Sequence, residues 1–235
     1  MSDQWRLAFM IDAPGADLGA LEAALRGQAG TLQKIAGEAH VRLGVSDRHP
    51  DLSKAVETEF DYSRWRDVDG AVEVTVAAAR APELPELTRR LAEAIHGLAA
   101  PGSAEVMTGP IFEMVPRRDG ATFLSLAFKR DPAITSTQFR DWWRFQHAVV
   151  AIPVLGAPLL AYDQVHVDPA ATEAVSKALG VTAYGYDAYD NLTFADRYGY
   201  MASTSDVEGM ARVFADEIGH IDDNTRRHAL MRLVV

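Results

Sequence analysis

"LAFMIDAP", residues 7–14, and "LAFKRDP", residues 126–132, share the pattern L-A-F-x-x-D. The first match is displaced by 126 minus 7, or 119 positions, and "IFEMV" from Ile111 and "LMRLV" from Leu230 repeat at the same displacement. One offset near both ends indicates duplication, and a repeat found first constrains the whole fold.

Hydrophobic periodicity gives both halves the same order of elements. In the first half, strands are expected at "WRLAFMI", "AHVRLGV", "AVEVTVAAA" and "AEVMTGPIFEMV", with helices at "LGALEAALRGQAGTLQKIAG" and "PELTRRLAEAIHGL". The second half gives "TFLSLAFKR", a helix from about Ser136, "LLAYDQVHV", "TFADRYGYM", a helix from about Asp206, and "RRHALMRLVV". This β-α-β-β-α-β order is ferredoxin-like. Thr135 with Gln138 and Ser205 with Glu208 read as capping boxes at the two helix starts of the second half. Each sheet would carry helices on one face and leave the other apolar. The two apolar faces can cover each other, so the expected fold is α+β, with two ferredoxin-like repeats (1–118 and 119–235) forming a barrel within one chain. "PRRDG" at 116–120 is the junction, and it is too short to act as a flexible linker.

Composition limits the chemistry. The 235 residues include 48% hydrophobic and 24% charged side chains, as in globular proteins. With no cysteine there is no disulfide, thiolate nucleophile or cysteine-ligated metal. A formal net charge of −10 without a basic stripe argues against nucleic acid as partner. No signal-peptide pattern and no run of roughly 18 apolar residues is found, so the protein is expected in the cytoplasm, off the membrane. Phosphate loops, G-x-S-x-G elbows, dinucleotide fingerprints and H-E-x-x-H are absent.

The densest aromatic run is "FRDWWRFQHAVVAIPVLGAPLLAYDQVHVD", residues 139–168. At about 100° per residue, Phe139, Trp143 and Val150 share a helix face, with His147 at its flank. Pro153 is expected to end that helix, leaving His147 near its C-terminus. Tyr162, Gln164 and His166 alternate along the next strand and so project to one face. Three polar groups are costly beneath an apolar helix unless each is paired, so this face is expected to line the space between the sheets. Asp196, Tyr198 and Tyr200 are expected to share a face of the third strand. His147 has two readings: an acid/base beside an apolar tryptophan wall, or a hydrogen-bonded packing residue. His40, His49, His96, His220 and His228 have no convergent partners in sequence.

Phe139-Arg140, Trp143, His147 and Pro153, followed by "YDQVHV" at 162–167 and the closing "DEIGHIDDNTRRHALMRLVV", resemble the EthD-type domains of the dimeric α+β barrel superfamily. The resemblance covers roughly residues 121–235. Shifting back by 119 places Ala20, Ala24 and Gln28 at the positions of Phe139, Trp143 and His147, so the first half lacks the signature. The family pattern favours an acidic residue on the third strand, where this alignment places Tyr198. An insertion at about 168–191 separates the second and third strands. It should hold a short helix from Asp168 and Pro169 to Gly180, then a loop with Tyr184, Tyr186 and Tyr189.

The resemblance implies small-molecule chemistry: a cofactor-independent lyase, cyclase, dehydratase or isomerase acting on an apolar carbonyl-containing metabolite, ketide-like or aromatic. His147 would be the acid/base, His166 and Tyr162 would hold a carbonyl oxygen, and Trp143 with the tyrosine loop would shape the pocket. Gln164, Asp196, Tyr198 and Tyr200 are candidate substrate contacts. No metal is expected. Alternatives are a haem-binding, peroxidase-like member or a non-catalytic binding barrel; a homodimer of such pseudo-dimeric chains is a further expectation.

Overall fold

The computed structural model describes residues 2–13, 17–49, 52, 66–95, 104–181 and 183–234. The strands are β1 (Gln4–Ile11), β2 (His40–Ser46), β3 (Arg66–Asp67), β4 (Gly70–Ala77), β5 (Ala104–Val115), β6 (Thr122–Arg130), β7 (Leu159–His166), β8 (Ala188–Phe194) and β9 (Ile221–Leu233). The α-helices are α1 (Leu18–Ala36), α2 (Leu84–Ile95), α3 (Ser136–Trp142), α4 (Ala148–Leu155), α5 (Pro169–Leu179), α6 (Arg197–Ser203) and α7 (Val207–Glu217).

Strand pairing runs β2-β4-β1-β5-β7-β8-β6-β9, and β2 pairs with β9 to close the ring. The two-residue β3 adds in parallel to β9. Each half therefore has its strands in the order second, third, first, fourth, and the fourth strand of each half pairs with the second strand of the other. This is the barrel of two ferredoxin-like repeats expected from the sequence. Close approach at one seam demands glycine: a Cβ on Gly109 of β5 would collide with the His166 carbonyl of β7.

The first match of the repeat is in register and the second is not. Leu7 of β1 stands opposite Thr108 of β5, whereas Leu126 of β6 stands opposite His228 of β9, so the fourth strands correspond at an offset of 120. A slip of one residue reverses every side chain. Ile111 corresponds to Met231, both inside the barrel, rather than to Leu230.

The barrel interior is part apolar and part ionic. Met10, Met107, Phe123, Val165, Tyr189 and Met231 pack in one cluster. Beside it, Arg6 binds Asp163 at 2.7 Å, Arg42 binds Glu73 at 2.6 Å, and Arg117 of the junction reaches Asp163 at 2.6 Å. The two pairs to Asp163 span both halves, so separating the repeats would leave that buried carboxylate unpaired.

Local signals mostly act as expected. Thr135 and Gln138 form the capping box of α3, and Asp168, Pro169 and Gly180 bound α5. Three expectations are corrected. First, the third strand of the second half is Ala188–Phe194, and "DRYGYM" instead enters α6 with Asp196 as its N-cap. An aspartate that can accept from Gly199 N at 2.9 Å favours a helix start over strand continuation. Second, Asp206 rather than Ser205 caps α7, accepting from Gly209 N at 2.9 Å, while Ser205 donates back to the Ala202 carbonyl. Third, Pro153 lies within α4, and the helix ends at Gly156 with φ 66°. The proline removes the partner of the Val149 carbonyl, and Val149 is exposed, so water can serve that group.

Candidate active site

Helices α3 and α4 are joined by a π turn, Trp143–His147. A π turn accommodates one extra residue per turn and re-aims the side chains beyond it. Trp143 and His147 are both buried, but they face different neighbours, and Arg144 and Phe145 between them point outward. His147 thus sits mid-helix rather than near a C-terminus.

His147 opens onto a cavity of about 90 Å³ between the helices and the sheet of the second half. Its apolar wall includes Leu124, Leu126, Leu155, Leu192, Met210 and Phe214. The polar groups reaching it are His147, Tyr162, Asp190, Glu217, Arg226 and His228. Tyr162, Gln164 and His166 face this helix side of the sheet, not the interior between the sheets, which receives Asp163 and Val165 instead. The expected cost of burial is met by pairing. Gln164 Nε2 donates to the Trp143 carbonyl at 2.9 Å and to Tyr162 Oη at 3.0 Å. The neighbouring backbone of the π turn, by accepting this bond, tolerates an amide beneath an apolar helix.

His147 Nδ1 lies 2.9 Å from Asp216 Oδ2 at the end of α7. The carboxylate accepts, so Nδ1 carries the proton and Nε2 presents its lone pair. Nε2 is 3.8 Å from Glu217 Oε1, and Glu217 Oε2 is held by Arg226 at 2.7 Å. Trp142 supports the ring at 5.0 Å between centroids and is itself stacked on His220 at 4.1 Å.

Opposite stands Asp190 of β8. Burial first, then the charge of Glu217, push its carboxyl well above the usual carboxylate range, which favours the protonated form. It interacts with the Tyr162 hydroxyl, and its Oδ1 has no partner among the described residues. Tyr162 itself is pushed well above 10 by burial and then by Asp190, and remains a phenol. His228 is lowered to about 4 by burial and then Arg226, so it stays neutral.

The two histidines of the aromatic run do not meet. His166 lines a separate outer pocket, stacked on Trp143 at 4.8 Å, and burial followed by Arg140 and Arg144 lowers it to about 3. Trp143 therefore divides the pockets rather than shaping the inner one. Tyr200 of α6 lines the inner cavity, but Tyr198 is 61% exposed and Asp196 is an exposed helix cap. Tyr184 and Tyr186 pack at the barrel interior, and Tyr189 belongs to β8, facing that same interior. Asp190, Asp216, Glu217, Arg226 and His228 were missed. The family's preference for an acid on the third strand pointed to Asp190 once that strand was placed correctly, and the acidic "DEIGH" held Asp216 and Glu217. His96 lies outside the described residues. Among the described residues, no group of three or more His, Asp or Glu is arranged to hold a metal ion, and no helix is long and apolar enough to cross a membrane.

A closed barrel of two ferredoxin-like halves with helices outside defines the dimeric α+β barrel class. Within it, residues 131–224 match the EthD domain family. No curated protein matches the sequence. Similar solved structures include a protein of Lactobacillus acidophilus provisionally assigned as a monooxygenase (8% identity, covering 100% of this chain and 95% of that one, TM-score 0.53). Another so assigned, from Fusobacterium nucleatum, gives 6% identity, 99% and 92% coverage, and TM-score 0.57. Chlorite dismutase from Candidatus Nitrospira defluvii gives 11%, 99% and 91%, and 0.53. At these identities the likeness is one of fold.

Proposed function

We propose that the inner cavity is the active site of a cofactor-independent acid/base enzyme, a lyase, cyclase, dehydratase or isomerase, acting on a small apolar carbonyl compound. The supporting observation is the pairing of a carboxylate-backed imidazole with a buried carboxyl, its proton affinity raised by burial, across an apolar cavity. His147 Nε2 takes the proton from the carbon beside the carbonyl, and the C–H electron pair forms the C=C bond of an enol. Asp190 donates to the carbonyl oxygen, as a carboxylic acid kept neutral by burial can. Tyr162 donates to Asp190 and receives from Gln164, which fixes the acid's orientation. Glu217 stands ready to stabilise the imidazolium. Reprotonation at another carbon completes an isomerisation; expulsion of a β-substituent completes an elimination.

An apolar cavity of roughly 150 Å³ holds benzene. About 90 Å³ therefore accommodates the reacting end of a substrate. That volume does not fit a tetrapyrrole, although a His–Asp pair is chemistry a haem ligand could use. A haem reading predicts a strong absorption band when haemin is added; a binding barrel predicts saturable uptake of carbonyl compounds without product.

The test follows deuterium exchange at the activated carbon of small ketones and β-keto esters by NMR. Exchange should be catalysed by the wild type and fall at least a hundredfold in His147→Ala, within the usual range for a general base. Equal rates in the two proteins remove His147 from the chemistry.

A further inference from the structure

The outer pocket lies across the π-turn helix from the inner cavity and holds about 260 Å³. Trp5 and Phe112 come from the first half, and Arg140, Arg144, Phe145 and His166 from the second. Most arginines of this acidic chain are paired with carboxylates: Arg6, Arg42, Arg117, Arg226, Arg227 and Arg232 all are. Among the described residues, Arg140 and Arg144 have no such partner. Arg140 donates to the Val167 carbonyl at 3.1 Å, and Arg144 lies over the Phe112 ring at 4.0 Å and the Phe145 ring at 5.0 Å. Like charges four residues apart on a helix repel, so the pair is a standing cost that an anion would relieve.

The rest of the pocket says what kind of anion. Phe112 and Phe145 offer ring faces beside the two guanidiniums, and Phe145 is 62% exposed. His166 supplies an acceptor. The Trp143 carbonyl can only accept, so it fixes the Gln164 amide with its nitrogen toward Trp143 and its Oε1 toward His166 Nε2 at 3.4 Å. Nε2 must then carry the proton of the neutral ring, leaving Nδ1 as an acceptor. Asp141 and Asp168 also line the pocket, Asp168 already committed to capping α5 through Ala171 N. These two carboxylates oppose a dianion, while two guanidiniums favour a monoanion with a planar body.

We infer that the outer pocket is a second ligand site, for a small aromatic monocarboxylate whose carboxylate meets Arg140 and Arg144 and whose ring lies against Phe112 and Phe145. A hydroxyl on that ring would donate to His166 Nδ1. The site is joined to the inner cavity by one hydrogen-bonded row, His166 to Gln164 to Tyr162. The inference stands on its own residues and survives if the inner cavity proves inert.

Calorimetric titration of the full chain with benzoate, 4-hydroxybenzoate, cyclohexanecarboxylate and inorganic phosphate tests it. Both aromatic acids should saturate, 4-hydroxybenzoate more tightly, with phosphate and the cyclohexyl acid at least fivefold weaker. Arg144→Met should weaken benzoate at least tenfold and the exposed Phe145→Ala about threefold, whereas Asp190→Asn in the inner cavity should leave it unchanged. Thermal melts check that Arg144→Met folds, and Phe145→Ala serves if it does not. No saturation in the wild type, equal affinity in the outer-pocket variants, or loss of binding in Asp190→Asn would each overturn the assignment.

Discussion

The two halves share a scaffold, and one row of residues across the sheet separates them. Leu7 and Leu126 occupy the same place on the first strand of each half. In the first half, Leu7 is flanked by Val74 on β4 and Thr108 on β5, and Val74 by Val41 on β2. In the second, Leu126 is flanked by Asp190 on β8 and His228 on β9, and Asp190 by Gln164 on β7. One register further, Leu43 corresponds to His166. Of the row Val41, Val74, Leu7, Thr108, the first three pack with Leu21, Leu25, Leu87 and Leu91 of α1 and α2, and Thr108 is hydrogen-bonded to Thr172 of α5. The row Gln164, Asp190, Leu126, His228 lies under helices that leave a cavity. Polar side chains beside a cavity stand in one repeat where the other has mostly apolar core.

Making the rows alike should break the difference. Asp190→Val copies the first half into the second. Exchange chemistry should fall by about a hundredfold or more, the range of a lost general acid, while urea unfolding at pH 7 shows equal or greater stability because a buried carboxyl has gone. Retained exchange would mean that the cavity's acid is another group. The reverse swap, Val74→Asp, should destabilise by roughly 2 to 3 kcal/mol, since the first half has no partner for a buried carboxyl. A loss under about 0.5 kcal/mol would show that the first half has room for a site as well.

The fold was legible because repeat order, capping residues and strand alternation are local signals. Thr135 with Gln138 and Asp168 with Pro169 act through neighbours within three residues, and sequence shows those directly. The site was half legible. His147 and Tyr162 could be singled out from spacing and resemblance, but their partners are distant in sequence: Asp216 is 69 residues from His147, and the tie is a helix-end contact. Asp190 was hidden because "DRYGYM" alternates like a strand, and only the capping geometry of Asp196 shows that the strand has already ended. The face of β7 was misassigned because burial cost was weighed without the Trp143 carbonyl, a backbone partner whose position depends on the π turn.

The smallest expected effect concerns the buried histidines that replace first-half residues. His228 is lowered from 6.5 to about 4 and His166 to about 3, both chiefly by burial. Between these values and 6.5 the unfolded chain binds protons that the folded chain does not, so stability is full above pH 6.5 and falls as the pH drops below it. Asp190 acts oppositely, because its folded carboxyl keeps a proton that the unfolded one releases above its ordinary range; this favours the folded state at low pH. A wild-type pH profile mixes the two signs, and only a difference between variants isolates one group. His228→Thr installs the residue found at Thr108. Relative to wild type, it should remove about 1 kcal/mol of the stability lost between pH 6.5 and 5.5, one unit of pH acting on one suppressed titration. Urea midpoints across that range provide the measurement. Parallel profiles for the two proteins would show that His228 titrates normally, and that the second half's polar row is more hydrated than the first half's apolar one.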